Sequence, residues 1–133
     1  MAHIVKYSEA GYIALHGIIL VAKEKKPVYV EDISAKLHSS KHHVAKVFQK
    51  FVKAGYLRST RGPQGGFVLN KKPEEINFLE IYELIEGKVF PGICPLDKEH
   101  CPFDRNCIFN NITKRLTEEF IRYLQGETLA DYV

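Results

Sequence analysis

Residues 39–73 constrain this chain more than any other stretch: they carry eight Lys and Arg and no Asp or Glu. An apolar stripe runs through their first half. Val44, Val47, Phe48, Phe51 and Val52 recur at i, i+3, i+4, i+7 and i+8, which is one face of an α-helix. Ser39-Ser40 before the stripe supply a turn and an N-cap, and Gly55 after it supplies a stop. His42, Lys46, Gln49 and Lys53 fall on the opposite face. Residues 30–38 read as a shorter helix, with Glu31 and Asp32 in the first turn and Ile33 and Leu37 at i, i+4. Helix, short turn and a second helix with a basic outer face make a helix-turn-helix. Tyr56 to Arg61 and Phe67 to Asn70 then read as strands joined by Gly62-Pro63-Gln64-Gly65-Gly66, a hairpin directly behind the second helix and hence a wing.

The charge is as uneven as the pattern. The whole chain is +3 from 19 basic and 16 acidic residues. Setting the eight cations of 39–73 aside leaves 11 basic against 16 acidic, or −5 elsewhere. Positive charge gathered on one supersecondary unit is the footprint of polyanion binding, whereas a merely solvated face mixes both signs. From the helix the candidate DNA contacts are Ser40, Lys41, His42, His43, Lys46, Gln49, Lys50 and Lys53. From the hairpin they are Arg58, Ser59, Arg61, Gly62, Gln64, Gly65 and Gly66. Arg61 suits a narrow minor groove. The Gly-rich stretch lacks GxGxxG and a Gly-Lys-Ser/Thr ending, so it is not a nucleotide loop.

The 133 residues support one filled core. The expected organisation is a single domain over 1–133: a winged-helix unit over 1–87, a cysteine loop over 88–107, and a C-terminal helix and tail over 104–133. The fold class is mainly α with a small β-hairpin wing (α+β). Residues 9–23 form a helix apolar on nearly all sides. Asn77 and Glu80 form a capping pair for a helix through Glu86 that Gly87 stops. Asp104 is the expected cap of a last helix ending near Gly126. Phe109, Ile112, Leu116, Phe120 and Tyr123 recur along it at spacings of 3, 4, 4 and 3, a seam suited to pairing with a second copy or to packing within the chain. No run reaches the ~20 apolar residues of a membrane span; Ile13 to Ala22 is broken by His16 and Gly17. With no signal-peptide pattern, a cytoplasmic address and no membrane partner are expected.

Cys94, Cys101 and Cys107 lie within fourteen residues, in a Pro-containing stretch with no period. Three thiols cannot all pair within one chain, and clustered thiolates are soft ligands for iron–sulfur clusters or zinc. A zinc site would ordinarily bring a Cys-x2–4-Cys pair, absent here. A metal-free thiol switch and three unrelated thiols are the other readings. A small redox protein would leave the acid-free 39–73 segment unexplained, while an interaction module with a zinc-stapled loop is a further reading that DNA binding under salt titration would separate. No Cys-x-x-Cys, paired carboxylates or Ser/His/Asp set supports catalysis, so an enzyme is not expected.

Several features together resemble one family. They are Tyr12-Ile13-Ala14-Leu15, Val52-Lys53-Ala54-Gly55-Tyr56-Leu57, Ser59-Thr60-Arg61-Gly62-Pro63-Gln64-Gly65-Gly66-Phe67, the clustered cysteines spaced Cys-x6-Cys-x5-Cys, and Thr128-Leu129-Ala130-Asp131. Over essentially its whole length the chain resembles the bacterial winged-helix regulators typified by IscR, NsrR, RirA and CymR. The resemblance implies a homodimer on a pseudo-palindromic operator in double-stranded DNA. It implies a transcriptional regulator, a repressor, sensing redox, nitric oxide or iron–sulfur status. Cysteine-bearing members hold a 2Fe–2S or 4Fe–4S cluster; others lack one and leave the thiol switch open. On that analogy Cys94, Cys101 and Cys107 are metal ligands. Some members place a His three residues after the third Cys, where this chain has Asn110. The nitric-oxide-sensing branch uses an acidic residue near the N-terminus, which makes Glu9 a fourth ligand, with His3, His16 and His100 as further candidates.

Overall fold

In the computed structural model the described residues are 5, 7–62, 65–91, 100–103 and 106–133. His3, Pro63, Gln64, Cys94 and Asp104 lie outside them. Five α-helices and one two-stranded antiparallel sheet make a winged helix-turn-helix among these residues. Helix α1 spans Glu9–Lys23, α2 Val30–Leu37 and α3 Lys41–Lys53; strands β1 and β2 span Leu57–Ser59 and Phe67–Leu69; α4 spans Phe78–Glu86 and α5 Ile112–Gly126.

Local chemistry explains most of these boundaries. Ser8 caps α1, its hydroxyl accepting from Gly11 N–H at 3.0 Å, and the same hydroxyl donates to Glu86 at the end of α4. A Cβ on Gly11 would meet Glu86 Oε1 at 2.7 Å, so the carboxylate sits over the helix start only because Gly11 leaves room. His38 in the left-handed region (φ 52°) closes α2, which therefore ends one residue short of the expected span. Ser40 accepts from His43 N–H at 3.1 Å and caps α3; Gly55, at φ 86°, turns the chain out of it. Asn77 and Glu80 complete their reciprocal capping box, at 2.9 and 3.0 Å, and Gly87 ends α4.

The core is built where α1, α3, α4 and the sheet meet. Val44, Val47, Phe48 and Phe51 of α3 are all buried, as the stripe requires. Each such side chain contributes about 1.5–3 kcal/mol by leaving water. Phe48 packs edge-on against Phe51 and Phe67, at ring separations of 5.8 and 5.2 Å. On its other side is Gly17, where an added Cβ would meet Phe48 Cε1 at 2.8 Å. That close crossing fixes α1 across the back of α3. Tyr56 donates to Glu80 at 3.2 Å, tying the wing root to α4.

Two expectations need correction. The strands are shorter than Tyr56–Arg61 and Phe67–Asn70: pairing runs only from Leu57↔Leu69 to Ser59↔Phe67. And the last helix begins at Ile112, not at Asp104. Asn110 and Asn111 sit consecutively at φ 50° and 56°, a left-handed step that a right-handed helix cannot pass through and that Asn tolerates better than most residues. Cys107 and Phe109 thus fall in turns ahead of α5, Cys107 O accepting from Asn110 N–H at 2.9 Å. The far end of α5 is clasped: Phe78 N–H donates to Glu127 O at 2.9 Å and Leu129 N–H to Ile76 O at 3.1 Å. Asn77 and Thr128 form the β-bridge between them, and Leu129 is fully buried.

Candidate nucleic-acid interface and cysteine turn

The stripe that buries one face of α3 leaves the other in solvent. Ser40, Lys41, His42, Lys46, Gln49, Lys50 and Lys53 are exposed, and His43 is half-buried at the edge. Lys46, Lys50 and Lys53 follow at i, i+4 and i+7, so their ammonium groups share a ridge. Ser40 has a structural duty as the α3 cap, which its sequence position allowed for. Beside the ridge, Arg58 and Ser59 are exposed on β1, and Arg61 and Gly62 are exposed where the hairpin opens. Gln64 lies outside the described residues.

Folding brings one acid to this surface. Glu9 Oε1, in the first turn of α1, lies 3.4 Å from His43 Nδ1. The face is acid-free in sequence but not in space. Both groups are partly solvated, so the pair contributes little stability. It does place Glu9 within its own chain: the candidate fourth ligand faces the start of α3.

The two glycines of the hairpin differ in kind. Gly65 is at φ 59° with nothing among the described residues within 4 Å of an added Cβ, so its role is conformational. Gly66 is buried, and an added Cβ would lie 2.7 Å from Pro27 Cβ and 3.0 Å from Thr60 Oγ1. Its role is close packing. The element responsible was not anticipated from the sequence: Val28 pairs with Phe67 through reciprocal bonds of 3.0 and 2.8 Å. The signal was there, since Val28 and Val30 flank Tyr29 in a β-prone alternation, but it is too short to separate from a turn.

Cys101 and Cys107 are free and half-buried. Cys107's thiol is held below the ordinary thiol range, chiefly by the backbone N–H of Asn111, then by that of Phe109 and, more weakly, Asn110. Partial burial works the other way and loses. The cause is these turn amides and not a helix start, since Cys107 is five residues ahead of α5. Among the described residues no group of three or more His, Cys, Asp and Glu comes together to hold a metal. His16 is exposed and its Nδ1–H donates to Tyr12 O at 2.8 Å, while His100 is exposed in a turn.

On α5 only Leu124 is buried, with Phe120 partly covered against Tyr7 and Tyr82. Phe109, Ile112, Leu116 and Tyr123 of the expected seam are exposed, as is Ile108. An apolar cleft of about 430 Å³ adjoins the seam, lined by Tyr7, Tyr12, Leu15, Ile19 and Tyr123 among others.

Residues 7–133 match the family model described as Rrf2, iron-dependent transcriptional regulator. The chain belongs to the Rrf2 family. The HTH-type transcriptional regulator IscR of Aliivibrio salmonicida is 29% identical over 129 residues, 96% of this chain and 76% of that protein. NsrR of Bacillus licheniformis is 30% identical over 111 residues, 80% of this chain and 75% of its own. Among solved structures, CymR, the global cysteine regulator of B. subtilis, superposes with a TM-score of 0.78 at 25% identity, covering 96% of this chain and 95% of its own. Membership of the Rrf2 family makes the chain a transcriptional regulator, and these relatives carry regulator names rather than enzyme names. No described helix is long and apolar enough to cross a membrane.

Proposed function

We propose that the protein regulates transcription from the cytoplasm as a homodimer whose hold on a pseudo-palindromic operator answers to the state of its cysteines. The observation that carries the DNA reading is the exposed cationic ridge of α3 running beside the Arg58–Arg61 side of the wing. Lys46, His42 and Gln49 would face the major groove, Lys41, Lys50 and Lys53 the phosphates, and Arg61 the minor groove. The dimer reading rests on the exposed apolar seam of α5 beside an open apolar cleft, since a lone copy would leave both in water. Residues 1–133 act as one domain on this reading.

The donor set suits an iron–sulfur cluster in chemistry. Two described cysteines are free thiols, and one is biased toward the thiolate that ligation needs. Cys94, Cys101 and Cys107 would hold the cluster, with Glu9 of a second copy as the fourth, non-thiolate ligand. When bound, such a centre supplies a redox-active and chemically labile iron site. IscR and NsrR are names of relatives and CymR that of a structural neighbour, so a metal-free thiol switch on the same cysteines remains the second reading. Anaerobic purification, with iron and sulfide counted, the visible spectrum recorded and DNA binding measured before and after cluster removal, decides between them. Colourless protein whose DNA binding responds fully to thiol oxidation would refute the cluster and leave the switch.

A further inference from the structure

The wing is fixed at its root. At the root, Gly66 is gripped from both sides. Across the hairpin, its carbonyl accepts from Thr60 N–H at 2.8 Å and its N–H donates to Thr60 Oγ1 at 3.1 Å. On the outer side stand Pro27 and the ring of Tyr29, whose Cε1 lies 3.2 Å from where a Gly66 Cβ would be. Beyond this closure, an added Cβ at Gly62 or Gly65 has nothing within 4 Å among the described residues. Arg61 is the first residue past Thr60. Its angle to α3 is therefore set by what holds the root.

Tyr29 has a second attachment. Its carbonyl accepts from Asp32 N–H at 3.1 Å and Ile33 N–H at 3.2 Å, which makes it the residue that opens α2. Its backbone thus belongs to the helix-turn-helix and its ring to the wing, with Val28 locked to Phe67 between them. We infer that Tyr29 is a positioning residue for DNA binding: its ring, wedged against Gly66, sets the pose in which the wing presents Arg61 relative to the recognition helix α3. This rests on the DNA-binding reading of the wing and adds to it a residue that need not touch DNA.

The test is a double-substitution cycle on a duplex selected from a random-sequence library by the wild-type protein. Arg61→Ala should weaken binding on the order of tenfold. Tyr29→Ala, which leaves the α2-opening carbonyl in place, should cost a comparable factor. The double variant should be no weaker than Arg61→Ala alone, because Tyr29 acts through Arg61. Tyr29→Phe keeps the ring and should bind as wild type; a loss equal to that of Tyr29→Ala would make the hydroxyl a direct contact and overturn the wedge. Additive losses, or Tyr29→Ala at wild-type affinity while Arg61→Ala is weakened, would overturn the inference and leave the DNA reading intact. Arg61→Ala at wild-type affinity would remove the wing's role and this inference with it. Melting temperatures taken alongside separate a wing effect from a folding defect, and a Tyr29→Ala affinity loss fully explained by unfolding counts against the proposal.

Discussion

The salt dependence of DNA binding offers a count of both contacts and subunits. Lys50 is exposed on α3, one turn beyond Lys46 on the same ridge, and its side chain makes no ion pair among the described residues. Lys50→Ala should leave the fold within about 0.5 kcal/mol of wild type, as expected of an exposed position away from caps and core. In a homodimer the substitution removes one phosphate contact from each copy. Each lost contact lowers the slope of log K against log salt by about 0.9, so the dimer should lose about 1.8. Between 50 and 200 mM salt, a fourfold change, that difference narrows the gap between wild type and variant by about 12-fold. Fluorescence anisotropy on one labelled duplex at five or six salt concentrations measures it. A slope change near 0.9 would mean that one subunit engages DNA through this residue. An unchanged slope would refute the placement of Lys50 against a phosphate, whatever happened to affinity at a single salt concentration.

Other outcomes follow from the same geometry. Gly65→Val forces an L side chain to φ 59° in open space, a strain of about 1–2 kcal/mol without a clash, so operator affinity should fall more than thermal stability; a collapsed melting temperature with intact affinity would reverse that reading. Leu116→Asp puts a charge in the exposed α5 seam and should shift the protein to monomer in analytical ultracentrifugation while circular dichroism stays unchanged; an undisturbed dimer would move the interface elsewhere. In metal-free protein with the other two cysteines replaced by Ser, alkylation of Cys107 should show its pH midpoint below the ordinary thiol value of about 8.5. The folded pKa is depressed, so thiolate persists to lower pH in the folded chain; urea should return the midpoint upward, and equal midpoints in both states would contradict the turn amides as its cause.

Where structure was set by short-range pattern, the sequence could be read nearly residue by residue. The Val44–Val52 stripe, the Ser40 cap and the Asn77/Glu80 box each combine spacing with a side chain that satisfies a specific orphan amide, and each appears as expected. Reading failed where partners are distant or a residue adopts an uncommon backbone angle. Val28 pairs with Phe67 across 39 positions of chain, and the three-residue alternation of Val28–Val30 is too short to announce it. Glu9 meets His43 across 34 positions of chain, between α1 and α3, where no local pattern announces it. Asn110 and Asn111 resemble ordinary helix residues in a pattern count, yet their left-handed pair cuts the expected helix by seven residues. Gly65 and Gly66 are adjacent and chemically identical, and only their surroundings reveal that one supplies a turn angle and the other a gap.

The clasp at the end of α5 makes that helix a lever. Its pivot lies at Glu127–Leu129, pinned to Ile76–Phe78, and the turn carrying Cys107 hangs at the opposite end. Fifteen helical residues separate the two, about 22 Å at 1.5 Å per residue. A swing of ~10° about the pivot carries the cysteine end some ~4 Å while leaving Leu124 almost where it was. Ile112 and Leu116, far out on the arm, sweep most of that arc; Tyr123, close to the fulcrum, sweeps little. On the proposed reading, a change in what the cysteines hold would act with long leverage on the outer seam and short leverage on the core, and the spacing between two copies would be reset without repacking the winged helix that each one carries.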